Sequence, residues 1–141
     1  LLIINTGIST KRALENVTEN FKNTHFKIYI HHAWSGQALD RVKEEITEQK
    51  RGTHADELET SFMMAIYPDV VKMSRASAAA QDTDLDRSRA PLICRNDPDH
   101  PNYSPSGVYG DARLATREKG EKIMQAKITD LKGAIECILS K

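Results

Sequence analysis

The sequence predicts an α/β domain in which parallel strands alternate with helices. In the first third of the chain, short β-branched apolar runs are each followed by a run with apolar residues at helical spacing. Strands separated by a helix pair in parallel, because the helix returns the chain to the end of the sheet from which it started. Ligands of such sheets bind at the carboxyl ends of the strands.

The first predicted strand covers residues 1–5, and the second covers residues 26–30. Between them, a tight turn leads into a predicted helix at residues 11–22, with Ser9 or Thr10 as its cap. The second strand is followed by His31, His32 and Trp34, and the Ser35-Gly36 pair then ends the extended pattern. This order places two polar turns at the carboxyl ends of two neighbouring strands.

Two further helices follow from apolar spacing. The helix after the second strand is predicted to end at about residue 49, and its apolar stripe consists of Leu39, Val42 and Ile46. The next helix is predicted to start near His54, after a break at Gly52, and to end before Pro68. These helices would cover the sheet.

The rest of the chain is a long loop followed by one long helix. Residues 73–109 are predicted to be mostly irregular, with a helical turn at 74–80 and a short edge strand at 91–94, covering the pocket or an oligomer contact. A covering helix is predicted for residues 116–139. Its apolar stripe comprises Ile123, Met124, Ile128, Leu131, Ile135 and Ile138.

Composition excludes several classes of protein. The 141 residues suffice for one ordinary domain. Lys and Arg number 20, as do Asp and Glu, so the formal charge is zero and no nucleic acid or anionic membrane partner is expected. No transmembrane helix or signal peptide is predicted, which leaves a soluble protein, cytoplasmic by default. Cys94 and Cys137 are expected to be free thiols.

Polar residues concentrate at residues 54–61, near the start of the third helix. An imidazole, three carboxylates and two hydroxyls would face the positive end of the helix dipole. His54 and Glu57 are three residues apart, a spacing that puts both on one helix face and suits metal ligation or a base with its orienting partner. The alternative is structural: Thr53 caps the helix and the carboxylates complement its dipole.

Two sequence blocks resemble those of a known family. Residues 54–64 read His-Ala-Asp-Glu-Leu-Glu-Thr-Ser-Phe-Met-Met, and residues 67–71 read Tyr-Pro-Asp-Val-Val. Downstream, residues 106–111 read Ser-Gly-Val-Tyr-Gly-Asp and residues 114–121 read Leu-Ala-Thr-Arg-Glu-Lys-Gly-Glu. On these blocks the chain resembles the creatininase (creatinine amidohydrolase) family over nearly its whole length.

The resemblance implies a three-layer α/β/α sandwich with a mostly parallel sheet. Family members are longer, so residues 1–141 are expected to be the C-terminal part of a single creatininase-like domain. The first part of the family's domain carries a Glu-x-His pair and an Asp that bind metal. A divalent metal (Zn, Mn or Fe) is therefore expected, with most of its ligands upstream of Leu1. In the family, metal lowers the pKa of bound water from about 16 toward about 7, and the resulting hydroxide attacks an amide or lactam carbonyl.

The resemblance also suggests catalytic residues. His54 matches a histidine that contacts substrate and moves protons, and its alternative role is a bond to a backbone carbonyl. Glu59 matches the glutamate of the Glu-Thr-Ser block and is expected at the metal site or behind its ligands. The alternative for Glu59 is simple dipole complementation.

Further site residues are expected around the second strand. Adjacent strand residues point to opposite faces, so only one of the His31-His32 pair can face a pocket. His32 and Glu57 are the candidates for additional metal ligands, although a surface histidine packed beside a tryptophan is an equal alternative for His32. Trp34 and Tyr109 are the candidates for substrate binding.

One turn departs from the family pattern. The family reads Asn-Gly-His-x-x-Asn where residues 5–10 read Asn-Thr-Gly-Ile-Ser-Thr, so Gly7 and Ser9 replace metal ligands. A Trp-Asp pair of creatininase itself is Lys50-Arg51 here. We therefore expect a metal-dependent amidohydrolase acting on a small molecule other than creatinine, in a homo-oligomer. The alternative is a catalytically degenerate member that serves as a binding or oligomerisation module.

Overall fold

A computed structural model describes residues 1–79, 85–86, 88 and 92–140. It has the predicted α/β composition of strands and helices. The chain divides into two compact units: Leu1–Arg41 with Ala126–Lys141 form the first, and Val42–Gln125 form the second. Among the described helices, none is long and apolar enough to cross a membrane.

The first unit contains a parallel pair of strands. Strand β1 (Leu2–Asn5) is followed by helix α1 (Lys11–Asn20) and strand β2 (Tyr29–His32). The strands pair in parallel, with Asn5 opposite His32 at their carboxyl ends. The predicted strand-helix-strand order and parallel pairing are therefore confirmed, while the three-layer arrangement stays a prediction.

Strand β2 starts three residues later than predicted. Phe26 was expected to open the strand, but its N–H binds the Thr24 hydroxyl in a turn, at 3.2 Å. The Phe26 side chain is exposed. Local turn formation therefore delays the strand until Tyr29.

Helix α2 (Gln37–Ile46) begins in the first unit. The Asp130 carboxylate accepts the N–H groups of Ala38 and Leu39, at 3.0 and 2.9 Å, which satisfies donors that a helix start leaves open. The helix ends three residues before the predicted residue 49. The N–H groups of Glu48 and Gln49, which were predicted to lie in the helix, instead donate to the buried carboxylate of Glu57.

The second unit contains helix α3 (Glu57–Ile66) and a short antiparallel pair, β3 (Ala78–Ala79) with β4 (Gly110–Asp111). The turn predicted at residues 74–80 is a 3-10 turn at Met73–Arg75 that is followed by β3. Residue 80 lies outside the described part. Of the predicted strand 91–94, residue 91 also lies outside it, and Cys94 forms an isolated bridge with Tyr103.

Helix α4 (Arg117–Leu139) agrees with the prediction to within a residue. The Thr116 hydroxyl caps it by accepting the Lys119 N–H at 3.2 Å. Its apolar stripe is buried at Ile123 but exposed farther along, for instance at Ile128. Leu131 and Ile138 are half-buried and Ile135 is exposed, which corrects the expectation of one continuous covering face. Both cysteines are free thiols, as predicted.

Candidate functional site

Helix α3 is capped by Asp56. The Asp56 backbone is extended, and its Oδ1 accepts the N–H groups of Leu58 and Glu59, both at 3.0 Å. The helix therefore starts at Glu57, three residues after the predicted start at His54, and the cap is Asp56 instead of Thr53. Since His54 precedes the helix, the prediction that His54 and Glu57 share one helix face is wrong.

His54 lies in a fixed turn in front of α3. Its backbone pairs with Tyr109: the Tyr109 N–H donates to the His54 carbonyl at 2.8 Å, and the His54 N–H donates back at 3.3 Å. The next residue, Ala55, has a φ of 48°, a left-handed conformation that residues with a Cβ seldom adopt. The backbone is held at both sides of His54, while the residue itself is exposed.

Glu59 supports the same turn. Its Oε2 accepts the Ala55 N–H at 2.7 Å, and its own backbone N–H donates to the Asp56 carboxylate. The Glu59 side chain thus binds an N–H group before the helix, and the Asp56 side chain binds one within it. Tyr109 is buried, with 5% of its surface exposed. The catalytic role of Glu59 and the substrate contact of Tyr109 stay predictions.

Glu57 is completely buried in a polar network. Its carboxylate accepts the N–H groups of Glu48 and Gln49, at 3.1 and 2.8 Å, and the Lys119 ammonium at 2.5 Å. The structure thus pairs Glu57 with a cation and two backbone donors. Metal ligation by Glu57 stays a prediction, and it would require some of these bonds to be exchanged.

Lys119 is the cation of this network. Its ammonium also binds the Glu48 carboxylate and the Leu114 carbonyl, at 2.5 and 3.0 Å. Burial by itself would lower the pKa of Lys119, but the hydrogen bonds that Lys119 donates to Glu48 and Glu57, together with the negative charges of these carboxylates, outweigh it, so the pKa is raised. Lys119 therefore carries its positive charge against two carboxylates.

Gln49 joins the two sequence blocks. Its Nε2 donates to Asp56 Oδ2 at 2.7 Å, and its Oε1 accepts the N–H groups of Glu57 and Asp111, at 3.3 and 3.0 Å. Asp111 in turn forms a bidentate ion pair with Arg113. The hydrogen bonds that the Arg113 guanidinium donates lower the pKa of Asp111. Side-chain amides and carboxylates thus fix the second block against the start of α3.

A close contact between α3 and α4 strengthens this connection. The Ser61 hydroxyl donates to the Glu57 carbonyl at 2.6 Å and accepts the Thr116 N–H at 3.1 Å. Gly120 lies directly against it, since a Cβ at that position would be 1.9 Å from the Ser61 carbonyl oxygen. Only glycine fits there.

A cavity of about 200 Å³ lies in the first unit, at the carboxyl ends of β1 and β2. It is lined by residues 5–8, Lys11, His32, Trp34 and Ser35. His32 and Trp34, two predicted site residues, therefore share one cavity. That cavity also adjoins the turn in which the family pattern is altered.

The Asn5 side chain fixes the tautomer of His32. Asn5 Oδ1 accepts from the Thr10 hydroxyl and the Gly7 N–H, and its Nδ2 donates to the Gly7 carbonyl, which leaves one orientation of the amide. Nδ2 also lies 3.1 Å from His32 Nδ1, so Nδ1 must be the acceptor. The neutral His32 ring therefore carries its proton on Nε2.

Trp34 forms one wall of the cavity. The Lys127 ammonium lies over its ring, 3.6 Å from the centroid, within the distance of a cation–π contact. This contact holds one face of the indole. Substrate binding by Trp34 stays a prediction.

The described residues do not form a metal site by themselves. Among them, no three His, Cys, Asp or Glu side chains lie in a group that could hold an ion. In the turn beside the cavity, Gly7 and Ser9 carry neither an imidazole nor a carboxylate, and the accepting nitrogen of His32 already faces Asn5. Ligation by His32 would require the loss of that bond.

Several residues of these sites were not predicted. Lys119 belongs to the second sequence block, but its partner Glu57 is 62 residues away and no local pattern connects them. Gln49 and Lys11 lie outside both blocks. Asn5 was visible as the first residue of the altered turn, which was the signal that could have drawn attention to it.

Comparison with known proteins gives the family. The sequence profile of the Creatininase family, described as creatinine amidohydrolase, matches residues 1–135. A sequence search of curated proteins finds no match. Among solved structures, one designated Creatininase Mn is 22% identical to this chain, with a TM-score of 0.74. A glutamate-to-glutamine variant of creatininase complexed with creatine is 23% identical to this chain, with a TM-score of 0.66.

A third similar structure is a protein from Bacteroides fragilis NCTC 9343 that is provisionally named a creatinine amidohydrolase. It is 25% identical, with a TM-score of 0.63. The alignments cover 96% of this chain but only 55%, 55% and 52% of the three neighbours, so the chain spans about half of their length. Since the family profile matches all but the last six residues, the chain belongs to the creatininase family.

Proposed function

We propose that this protein takes part in hydrolysing an amide or cyclic amide C–N bond of a small molecule other than creatinine. One observation carries the proposal: His54 is an exposed imidazole on a backbone that is fixed by Tyr109 on one side and by Glu59 on the other. A general acid or base needs both access to substrate and a defined position. Family membership supplies the class of reaction.

In this proposal His54 takes or gives the proton that amide cleavage requires. Glu59 acts through the turn, because its carboxylate binds Ala55 N–H and thereby stabilises the left-handed residue next to His54. Asp56 ends the turn by capping α3. Together these contacts fix the backbone from which the imidazole projects, which lowers the entropic cost of positioning it.

We include a divalent metal (Mn, Zn or Fe) in the proposal, because the names of two similar structures include Mn and Zn. The described residues do not fit a complete site, so a metal would need donors in addition to them. Glu57 and His32 are proposed as ligands only if they give up their present bonds to Lys119 and Asn5. No step of the proposed proton transfer depends on them.

The test is turnover of a panel of amides and cyclic amides by the complete natural protein. His54→Ala should lower turnover by about 10²-fold or more while leaving the unfolding transition unchanged. His25→Ala is the matched control, since His25 is an exposed histidine outside both sequence blocks. Equal turnover by the His54→Ala variant and the unaltered protein would refute the role of His54.

A second function is favoured by Gly7 and Ser9, which remove ligands from the altered turn. In this alternative the protein is a binding or homo-oligomeric module without activity. Elemental analysis separates the two: an inactive protein that takes up neither Mn, Zn nor Fe supports the module. Light scattering measures whether homo-oligomers form, which stays a prediction.

A further inference from the structure

We propose that Gln49 is a positioning residue for His54. Gln49 lies just before the loop of residues 50–55 that carries His54, and Asp56 lies just after it. The Gln49 side chain holds this loop at its base and also holds the backbone segment that pairs with His54. The inference rests on the proposed function, because Gln49 has a role in the reaction only if His54 transfers a proton.

The two ends of the loop are tied together by reciprocal hydrogen bonds. Gln49 Nε2 donates to Asp56 Oδ2 at 2.7 Å. The Gln49 backbone N–H donates to the Glu57 carboxylate at 2.8 Å, and the Glu57 backbone N–H donates to Gln49 Oε1 at 3.3 Å. The side chain of each residue thus binds the main chain of the other. The loop cannot open at its base without the loss of these hydrogen bonds.

The same amide also holds the backbone partner of His54. His54 and Tyr109 form two backbone hydrogen bonds with each other. Asp111 lies two residues beyond Tyr109, and its N–H donates to Gln49 Oε1 at 3.0 Å. Asp56 likewise lies two residues beyond His54. Gln49 therefore bridges the two backbone segments that meet at His54, at the same distance in sequence from each member of the pair.

The partners of the Gln49 amide determine its orientation. A carboxylate only accepts and a backbone N–H only donates, so Nε2 must face Asp56 and Oε1 must face Asp111. Two glycines leave the space for this amide: a Cβ at Gly52 would lie 2.3 Å from Nε2, and a Cβ at Gly110 would lie 2.6 Å from Oε1. The amide is thus packed against backbone in one orientation.

Loss of the amide should loosen both segments. Asp56 and Asp111 are buried, and each would lose the hydrogen bond that Gln49 supplies. Buried polar groups that lose a partner favour a rearrangement that restores one. Ala55, whose φ of 48° is unfavourable for a residue with a Cβ, lies in the loop next to His54 and should relax when the base opens. The imidazole would then stay accessible but lose its defined position.

Turnover of the amide panel by the complete natural protein provides the first test. Gln49→Met keeps the length of the side chain but has neither the donor nor the acceptor. It should lower kcat by roughly tenfold with little change in KM, because a misplaced catalytic group slows the chemical step. In protein that already carries His54→Ala, Gln49→Met should lower kcat no further, since its effect passes through His54.

Nuclear magnetic resonance gives a second readout that does not need activity. With histidine labelled with ¹³C at Cε1, the His54 signal is identified by its absence from His54→Ala. It should be one sharp line in the unaltered protein and be broadened or split in Gln49→Met. Ile123→Val is the control, because it removes a methylene from a fully buried side chain and no hydrogen bond. It should lower stability but leave the His54 signal and kcat unchanged.

Gln49→Asn carries the same test if Gln49→Met does not fold. Its amide is one methylene too short to bind Asp56 and Asp111 together, so it should also lower kcat and broaden the His54 signal. An unchanged His54 signal, or an equal loss of kcat with and without the His54 imidazole, would overturn the inference while leaving the proposed function intact. Full turnover by His54→Ala would instead refute the proposed function, and with it the role of Gln49 in the reaction.

Discussion

Helices α1 and α3 are both ten residues long, but their N-terminal ends differ. At α3 the protein fills the end with its own side chains, since Asp56 accepts two N–H groups and Glu59 binds the turn in front of it. At α1 no side chain caps the helix, and a cavity adjoins its first residue. The filled end holds the turn that carries His54, whereas Thr10 makes no side-chain cap at the start of α1, which is the open end.

The two helices also differ in what they bury. Helix α1 buries no residue, while α3 buries Glu57 and Ser61, which are both polar. A buried charge is tolerated only when it is paired and hydrogen-bonded. The filled end of α3 therefore depends on Lys119, and breaking that pair is the strongest test of the difference.

Lys119→Met should have the largest effect on stability. It leaves the Glu57 carboxylate buried without its cation, and we expect the free energy of unfolding to fall by about 3 kcal/mol or more. Urea denaturation followed by circular dichroism measures this. Lys122→Met is the control, because Lys122 pairs with Glu45 at an exposed position and should change stability little.

The same pair predicts a pH dependence. Because the folded pKa of Lys119 is raised above its usual 10.5, its stabilising contribution is fully present below pH 10.5 and is lost as the pH rises through the folded pKa. The stability difference between the unaltered protein and Lys119→Met should thus be constant near neutrality and shrink in strong alkali. A loss no larger than that of Lys122→Met would show that the pair does not hold the filled end.

Gly120→Ala should have the next largest effect. The new methyl group would collide with the Ser61 carbonyl, so α3 and α4 must separate, at a cost of about 1–3 kcal/mol. Gly133→Ala is the control on the same helix, because no atom lies within 4 Å of the added Cβ. It should stabilise the helix by roughly 0.5 kcal/mol. Destabilisation by both variants alike would contradict the close contact at Gly120.

Ala13→Glu should have the smallest effect, and it acts on the open end. A carboxylate in the first turn of α1 should complement the helix dipole and stabilise the protein by about 0.3–1 kcal/mol at low salt. Ala13→Gln has the same shape without the charge. If the two variants are equally stable in urea denaturation, the open end has no electrostatic role.

Much of the fold was predictable because it is encoded locally. The apolar periods predicted β1, α1 and α2, and the alternation of strand and helix predicted the parallel pairing. The end of α2 was not predictable in this way. It is set by Glu57, whose carboxylate takes N–H groups that would otherwise continue the helix.

The sites were predictable in part. The carboxyl end of a strand correctly indicated that His32 and Trp34 line a cavity. The start of α3 was misplaced, although Asp56 followed three residues later by Glu59 is a capping pattern that the sequence contains. Lys119 could not be assigned because an ion pair between distant residues has no periodic signal.

Gln49 imposes a constraint on how this family member can evolve. Its amide has one donating and one accepting end, and it serves Asp56 through the first and the N–H groups of Glu57 and Asp111 through the second. A Cβ at Gly52 would lie 2.3 Å from the amide nitrogen, so a larger residue there would displace Gln49. Positions 49, 52 and 56 should therefore covary among homologues, with Gln49 lost only together with its partners.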